Sequence, residues 1–157
     1  MFQHTFIVQP SSWAGEGTIT LNMVEENLQF LTRWKVSEVE EGKITSVQEL
    51  QIVGVSENMR NELVFFDFTP KSFSLEMENV NIGKVLGTGI YDEKMIAWEF
   101  RNNDLNFEGF ETYTLQGDGS YLVHAEYVTS DQFRTQIDGK IWKPSNPELF
   151  EKKQGEE

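Results

Sequence analysis

Trp13-Ala14-Gly15-Glu16-Gly17 opens a run of about ten short alternating segments that fills the chain to Lys143. The alternation is clearest from Leu28 to Glu38. There Leu28, Phe30, Thr32, Trp34 and Val36 share one face, and Gln29, Arg33 and Lys35 share the other. It recurs in Phe73, Leu75 and Met77 against Ser72, Ser74 and Glu76. A period of two marks a half-buried strand, because successive side chains point to opposite faces of a sheet. Turn residues punctuate the run, among them Glu40-Glu41-Gly42, Thr69-Pro70-Lys71, Asp92-Glu93, Asp118-Gly119 and Ser130-Asp131. No amphipathic helix separates the strands, so parallel crossovers are not expected. Strands joined by tight turns pair with their sequence neighbours. So many of them must close into a barrel or form two packed sheets, and closure removes the exposed edges. The pattern predicts an all-β protein, an antiparallel up-and-down β-barrel, with a β-sandwich as the alternative. Val24-Glu25-Glu26-Asn27 reads as a turn or a short helix.

Residues 13–143 are expected to form the single barrel domain. Residues 1–12 precede it as a leader, a short helix or an extended strap ended by Pro10-Ser11-Ser12. Residues 144–157 follow as a tail, with a helical turn expected at Pro147 to Phe150 and a loose end from Glu151 to Glu157.

The 157 residues suit one domain with a sizeable core. Aromatic residues make up 13% of the chain, which argues against disorder in spite of the charge. The formal net charge of -13 repels phosphate backbones, so nucleic acid and anionic membranes are poor partners. There is no cysteine, which excludes disulfides, thiol catalysis and Cys-ligated metal, and fits a cytoplasmic location. Met1 to Gln9 has no basic start and only Phe6-Ile7-Val8 as an apolar cluster, too short for a signal-peptide core. No window reaches membrane-spanning length. Motifs for nucleotide phosphates, zinc hydrolases, serine hydrolases and calcium loops are absent.

The opening Trp13-Ala14-Gly15-Glu16-Gly17 resembles the Trp-x-Gly-x-Gly segment that begins the first strand of nitrobindin-like proteins. Those are ten-stranded barrels of the calycin group, alongside lipocalins and fatty-acid-binding proteins. The resemblance covers residues 13–143 in plan and implies a calycin or lipocalin-like barrel of ten strands. Ser11 stands where the family motif carries a further Gly. Trp13 would plug one end, and Gly15 and Gly17 would let backbones pass closely. The resemblance also implies haem held by a histidine. The chain has only His4, in the leader, and His124, on the penultimate strand.

Strand parity locates the interior. In the last strand Phe133, Thr135, Ile137, Gly139 and Ile141 make one face, and Arg134, Gln136, Asp138, Lys140 and Trp142 the other. The first set is expected inside. A two-residue Asp118-Gly119 turn sets Tyr113 opposite His124 and Glu111 opposite Glu126. A two-residue Ser130-Asp131 turn sets Val128 opposite Phe133. Carried across, Glu111, Tyr113, His124 and Glu126 then point inward. One carboxyl of the facing pair would keep a proton or share one with His124. A three-residue Gly117-Asp118-Gly119 loop flips the parity instead. It leaves Glu111 and Glu126 on the surface and puts Phe110, Thr112 and Tyr127 inside. Elsewhere Phe30, Trp34, Phe73, Leu75, Ile96, Trp98 and Phe100 are expected inside, and either Gln48 or Glu49. Gly87 and Gly89 make a bend or leave a ligand room.

These residues support a non-enzymatic small-molecule binding protein. Trp34 and Trp98 would line the lumen against an apolar or amphipathic ligand, and Glu111, Tyr113, His124 and Glu126 would fix its polar end. Three alternatives stay open. One is haem on His124, with no other cofactor expected. Another is a lumen isomerase or lyase using Glu111 or Glu126 as base and His124 or Tyr113 as acid. The last is a filled barrel with a structural role. No metal site is expected, since facing carboxylates repel. Ligand identity and oligomeric state are not readable from the chain.

Overall fold

The computed structural model describes residues 4–101, 104–128 and 132–145. The strands follow in chain order as β1 (Ser11–Leu21), β2 (Leu28–Val36), β3 (Ile44–Ile52), β4 (Asn58–Phe66), β5 (Ser72–Asn79), β6 (Gly83–Tyr91), β7 (Met95–Phe100), β8 (Glu108–Leu115), β9 (Tyr121–Val128) and β10 (Arg134–Trp142). Each pairs antiparallel with its sequence neighbours, and β1 also pairs with β10, so the sheet closes as the alternation predicts. The described residues form no helix, and none is long and apolar enough to cross a membrane. The stretch from Val24 to Asn27 is not helical and bends at Glu25-Glu26, just after a turn at Asn22-Met23. The expected helical turn at Pro147 to Phe150 and the end beyond it lie outside the described residues.

β1 begins at Ser11, ahead of the expected barrel start, and β4 begins at Asn58, in a polar stretch. Ladder bonds come from the backbone, so Ser11 pairs with Val36 and Asn58 with Gln51 without apolar side chains. The expected inward residues are buried: Phe30, Trp34, Phe73, Leu75, Ile96, Trp98 and Phe100. Glu41 and Gly42, with φ of 53° and 78°, make the tight turn between β2 and β3. Glu40 and Lys43 bond reciprocally across it, as a two-residue hairpin requires.

The two ends of the barrel differ. Residues 4–10 form a turn-rich strap over one end, with Phe6 and Ile7 fully buried. The Phe6 ring meets Tyr113 at 4.8 Å, Trp34 at 5.0 Å and Trp13 at 5.4 Å. Aromatic pairs of this kind add about 0.5–1.5 kcal/mol each beyond their buried area. The expected end-plug role of Trp13 is thus shared with the strap. Ile7 holds φ of 59°, a strained value for a β-branched residue that only surrounding packing sustains. Tyr121 and His4 tie the strap down. The His4 Nε2–H donates to the Asp92 carbonyl at 2.7 Å, which leaves Nδ1 to accept from the Tyr121 hydroxyl at 2.9 Å.

Glycines close the wall. A Cβ on Gly17 would sit 2.2 Å from the Asp138 carbonyl oxygen of β10, so the β1–β10 seam needs glycine there. The room expected over Gly87 and Gly89 is filled instead, by the rings of Phe100 and Phe73 respectively.

Candidate functional site

At the end opposite the strap the packed core gives way to a cavity of about 310 Å³. Its wall toward the mouth is apolar, with Ile19, Leu28, Phe30, Leu50 and Ile137. Two polar groups interrupt it, one on each side.

The first is Glu111 of β8. Its two oxygens accept from two tyrosines, Oε1 from the Tyr113 hydroxyl at 2.5 Å and Oε2 from the Tyr127 hydroxyl. Glu111 keeps part of its surface free, but that surface faces the cavity and the carboxyl lies deep in the barrel. Burial pushes its pKa above the ordinary 4.5, and the two tyrosine bonds and the Trp98 indole pull the other way. The Trp98 Nε1–H is buried and makes no bond of full geometry. Burial, and then the neighbouring carboxyl, push both tyrosine hydroxyls well above 10.0, so they remain donors. The tyrosines are themselves held. Tyr113 stacks on Trp98 at 4.9 Å, and Tyr127 stacks on Phe107 at 5.0 Å while its ring covers Gly109.

The second is a ladder of amides across β2 to β5. Asn79 Nδ2 donates to Asn61 Oδ1 at 2.8 Å, and Asn61 Nδ2 donates to Gln48 Oε1 at 2.9 Å. Gln48 Nε2 then donates to Thr32 Oγ1 at 3.3 Å. Each amide nitrogen carries two protons and spends one on the ladder. A spare N–H therefore remains at each of three positions along the cavity wall.

Sequence reading placed Trp34, Trp98, Glu111, Tyr113, His124 and Glu126 together. The structure brings together the first four: Trp34, Glu111 and Tyr113 line the cavity, and Trp98 packs beneath them. His124 and Glu126 are corrected. Both stand on the outer face of β9, where His124 Nδ1 meets Asp138 Oδ1 at 2.6 Å and Nε2 meets Glu126 Oε2 at 2.8 Å. The cause is register. Tyr113 pairs with Val123 instead of His124, and Val128 pairs with Arg134 instead of Phe133. Each shift of one residue turns β9 over relative to a neighbour, and the two shifts cancel for β8. Hence Glu111 and Tyr113 stay inside while Val123, Ala125 and Tyr127 replace His124 and Glu126.

The first shift has a visible source. Gln116 bonds to Ser120 across a three-residue Gly117-Asp118-Gly119 loop, and Asp118 Oδ1 accepts from the Ser120 N–H at 2.9 Å and its hydroxyl at 2.5 Å. That side-chain turn stabilises the longer loop, and Asp118 followed by Ser120 was its signal. The expected Ser130-Asp131 turn lies outside the described residues.

Tyr127, Asn61 and Asn79 were missed as site residues, and Gln48 was left open against Glu49. Asn79 continues the inward series Phe73, Leu75, Met77, so alternation alone marked it. Gln48 depended on an extra residue that β2 carries between Ser37 and Glu40, since Ser37 bonds Thr45 but Glu40 bonds Lys43. Glu49 faces out and pairs with Arg33 at 3.1 Å.

Haem ligation does not fit these residues. His124 lies outside with both ring nitrogens paired, and His4 lies in the strap with both bonded. Among the described residues no cluster of three His, Cys, Asp or Glu side chains could hold a metal ion.

The described strands thus form a closed antiparallel barrel of ten strands around a ligand-sized cavity, a lipocalin-like fold. Among solved structures the chain is similar to the S-type phycobiliprotein lyase CPES from Guillardia theta, with a TM-score of 0.66. The match covers 87% of this chain and 89% of that one at 8% identity, a likeness of fold. No family model and no curated protein matches the sequence.

Proposed function

We propose that this barrel binds a small amphipathic molecule in its lumen. The observation that carries the reading is the cavity of about 310 Å³ that joins an apolar wall to one buried carboxyl held by two tyrosines. Aromatic and aliphatic walls supply affinity through buried area, and a few fixed polar groups supply orientation. Tyr113 and Tyr127 hold the carboxyl in one position, so a ligand group meets a preorganised partner. The fold likeness to a phycobiliprotein lyase supports a ligand-handling barrel.

Native mass spectrometry of the freshly purified protein, against its denatured mass, tests this reading. A retained small mass that is lost in Ile137→Trp, which fills the cavity from β10, is the expected result. Absence of any retained mass, together with no binding of the neutral apolar dye N-phenylnaphthylamine, would overturn it.

One observation favours a second reading, a lumen lyase or isomerase. Glu111 is a buried carboxyl with a raised pKa in a cavity, as a general base or acid requires. His124 and Glu126 drop out of that chemistry because they face away from the lumen. A retained compound whose structure changes during incubation with wild type, but not with Glu111→Gln, would favour catalysis over carriage.

A further inference from the structure

We propose that the lumen selects an organic cation, an amine whose ammonium group sits on Glu111 between the two tyrosine hydroxyls and whose apolar body lies against the aromatic wall. This rests on the lumen-binding reading and names its ligand class.

The charge inventory of the cavity is one-sided. Among the described residues, the titratable side chains that point into it are Glu111, Tyr113 and Tyr127. Among the described residues Lys140 is the one basic residue bordering it, and its ammonium lies outside, 3.8 Å from Asp118 Oδ2 on a side chain that is 47% exposed. A carboxylate ligand entering this lumen would therefore meet an acid and, among the described residues, no cation. A neutral ligand would bond to Glu111 but leave it with no counter-charge. An ammonium group supplies both the donors and the charge that a buried carboxyl lacks. Each Glu111 oxygen accepts one hydrogen bond from a tyrosine hydroxyl and retains further lone-pair capacity toward the cavity.

The surroundings suit a cation in two more ways. Trp34, Tyr113 and Tyr127 present aromatic rings to the cavity, and ring faces attract cations. The loops and strand ends around the mouth carry exposed Glu25, Glu26, Glu57, Asp104 and Glu108 against Arg101 and Arg134, and the Arg101 guanidinium is taken by Glu99 at 2.5 Å. Together with the net charge of -13 they draw cations toward the opening. On the far wall the Gln48, Asn61 and Asn79 amides offer spare N–H groups to a hydroxyl or carbonyl at the other end of the ligand.

Binding is then linked to a proton. Burial favours the neutral form of Glu111, and an ammonium beside it favours the charged form. The groups facing the carboxyl from β8 and β9 are Tyr113 and Tyr127, which stay protonated, and from β7 the indole of Trp98, which does not titrate. Amine binding therefore releases a proton from Glu111 wherever the empty site still holds one.

The test is calorimetric titration of wild type with tyramine, its alcohol analogue tyrosol and its acid analogue hydroxyphenylpropionate. These share one body and differ in charge. Tyramine should bind about tenfold tighter than tyrosol, the difference between a charge-assisted and a neutral hydrogen bond, and the acid should bind weakest. The affinity of tyramine should rise with pH through the titration of Glu111, while that of tyrosol stays flat. In Glu111→Gln tyramine should fall to about the level of tyrosol, losing the same tenfold. Equal binding of the three, or tightest binding of the acid, would overturn the proposal even if the Gln variant failed to fold. N-phenylnaphthylamine binding without any binding of the three would also overturn it and leave lumen binding standing. Failure of the dye as well would overturn both.

Discussion

His124 Nδ1 lies 2.6 Å from Asp138 Oδ1, on the outer wall of the barrel. Glu126 takes the other ring nitrogen, so the imidazole is clasped between two acids. The Asp138 bond, followed by the Glu126 bond, raises the His124 pKa above 6.5, and the His124 bond lowers that of Glu126 below 4.5. A raised histidine pKa gives stability that is complete below 6.5 and lost as pH rises through the folded value. A lowered carboxylate pKa gives stability that is complete above 4.5 and lost as pH falls through the folded value. The clasp should therefore stabilise most between those limits. Ring-proton NMR titration should find His124 above its ordinary value and find it returned toward that value in Asp138→Asn. His124→Ala should leave dye binding in the lumen unchanged. A loss of binding would place the histidine back in the site.

Glu111 should set a trend in stability opposite to that of Glu126. Its folded pKa lies above 4.5 because of burial, so the folded state holds a proton that the unfolded state releases. Its contribution is complete below 4.5 and declines as pH rises until the folded value is passed. Urea unfolding of wild type and Glu111→Gln across acid to neutral pH should show the variant gaining relative stability as pH rises, then levelling. Gln still accepts from one tyrosine and can donate to the other, so packing is kept. A difference that stays flat with pH would mean the carboxyl is solvated.

The β1–β10 seam and the ring over β6 should be intolerant of a single methyl. At Gly17 the added Cβ meets a backbone oxygen at 2.2 Å, and at Gly89 it meets the Phe73 ring at 2.2 Å. Overpacking costs about 1–3 kcal/mol, and Gly17→Ala should reach the upper end because a backbone atom cannot rotate away. Gly117→Ala is the contrast. Its Cβ meets nothing within 4 Å, and the substitution should be neutral or stabilise by about 0.5 kcal/mol. Denaturation midpoints of the three variants decide this.

The strap should be part of the fold. Phe6 is fully buried among Trp13, Trp34, Tyr113 and Tyr121. Phe6→Ala should destabilise by about 3–5 kcal/mol, as for a core phenylalanine. Because Phe6 packs on Tyr113, which holds Glu111, the variant should also weaken lumen binding. A loss below about 1 kcal/mol would mean that the strap leaves the barrel readily.

Closure of the sheet was written into the chain wherever alternation is strong. Phe30, Thr32 and Trp34, then Phe73, Leu75 and Met77, declare their inner faces locally, because a side-chain period of two is a property of one strand. Glu111 and Tyr113 were placed inside correctly, although through two register shifts that cancelled. β9 could not be read this way. Val123, Ala125 and Tyr127 on one face and Leu122, His124 and Glu126 on the other give no clean contrast. Which face turned inward was decided by the Asp118–Ser120 loop and by pairing with β8 and β10. Alternation belongs to a single strand and survives without partners. Register belongs to pairs of strands and changes with one added loop residue, so only the assembled barrel could show which polar groups share its lumen.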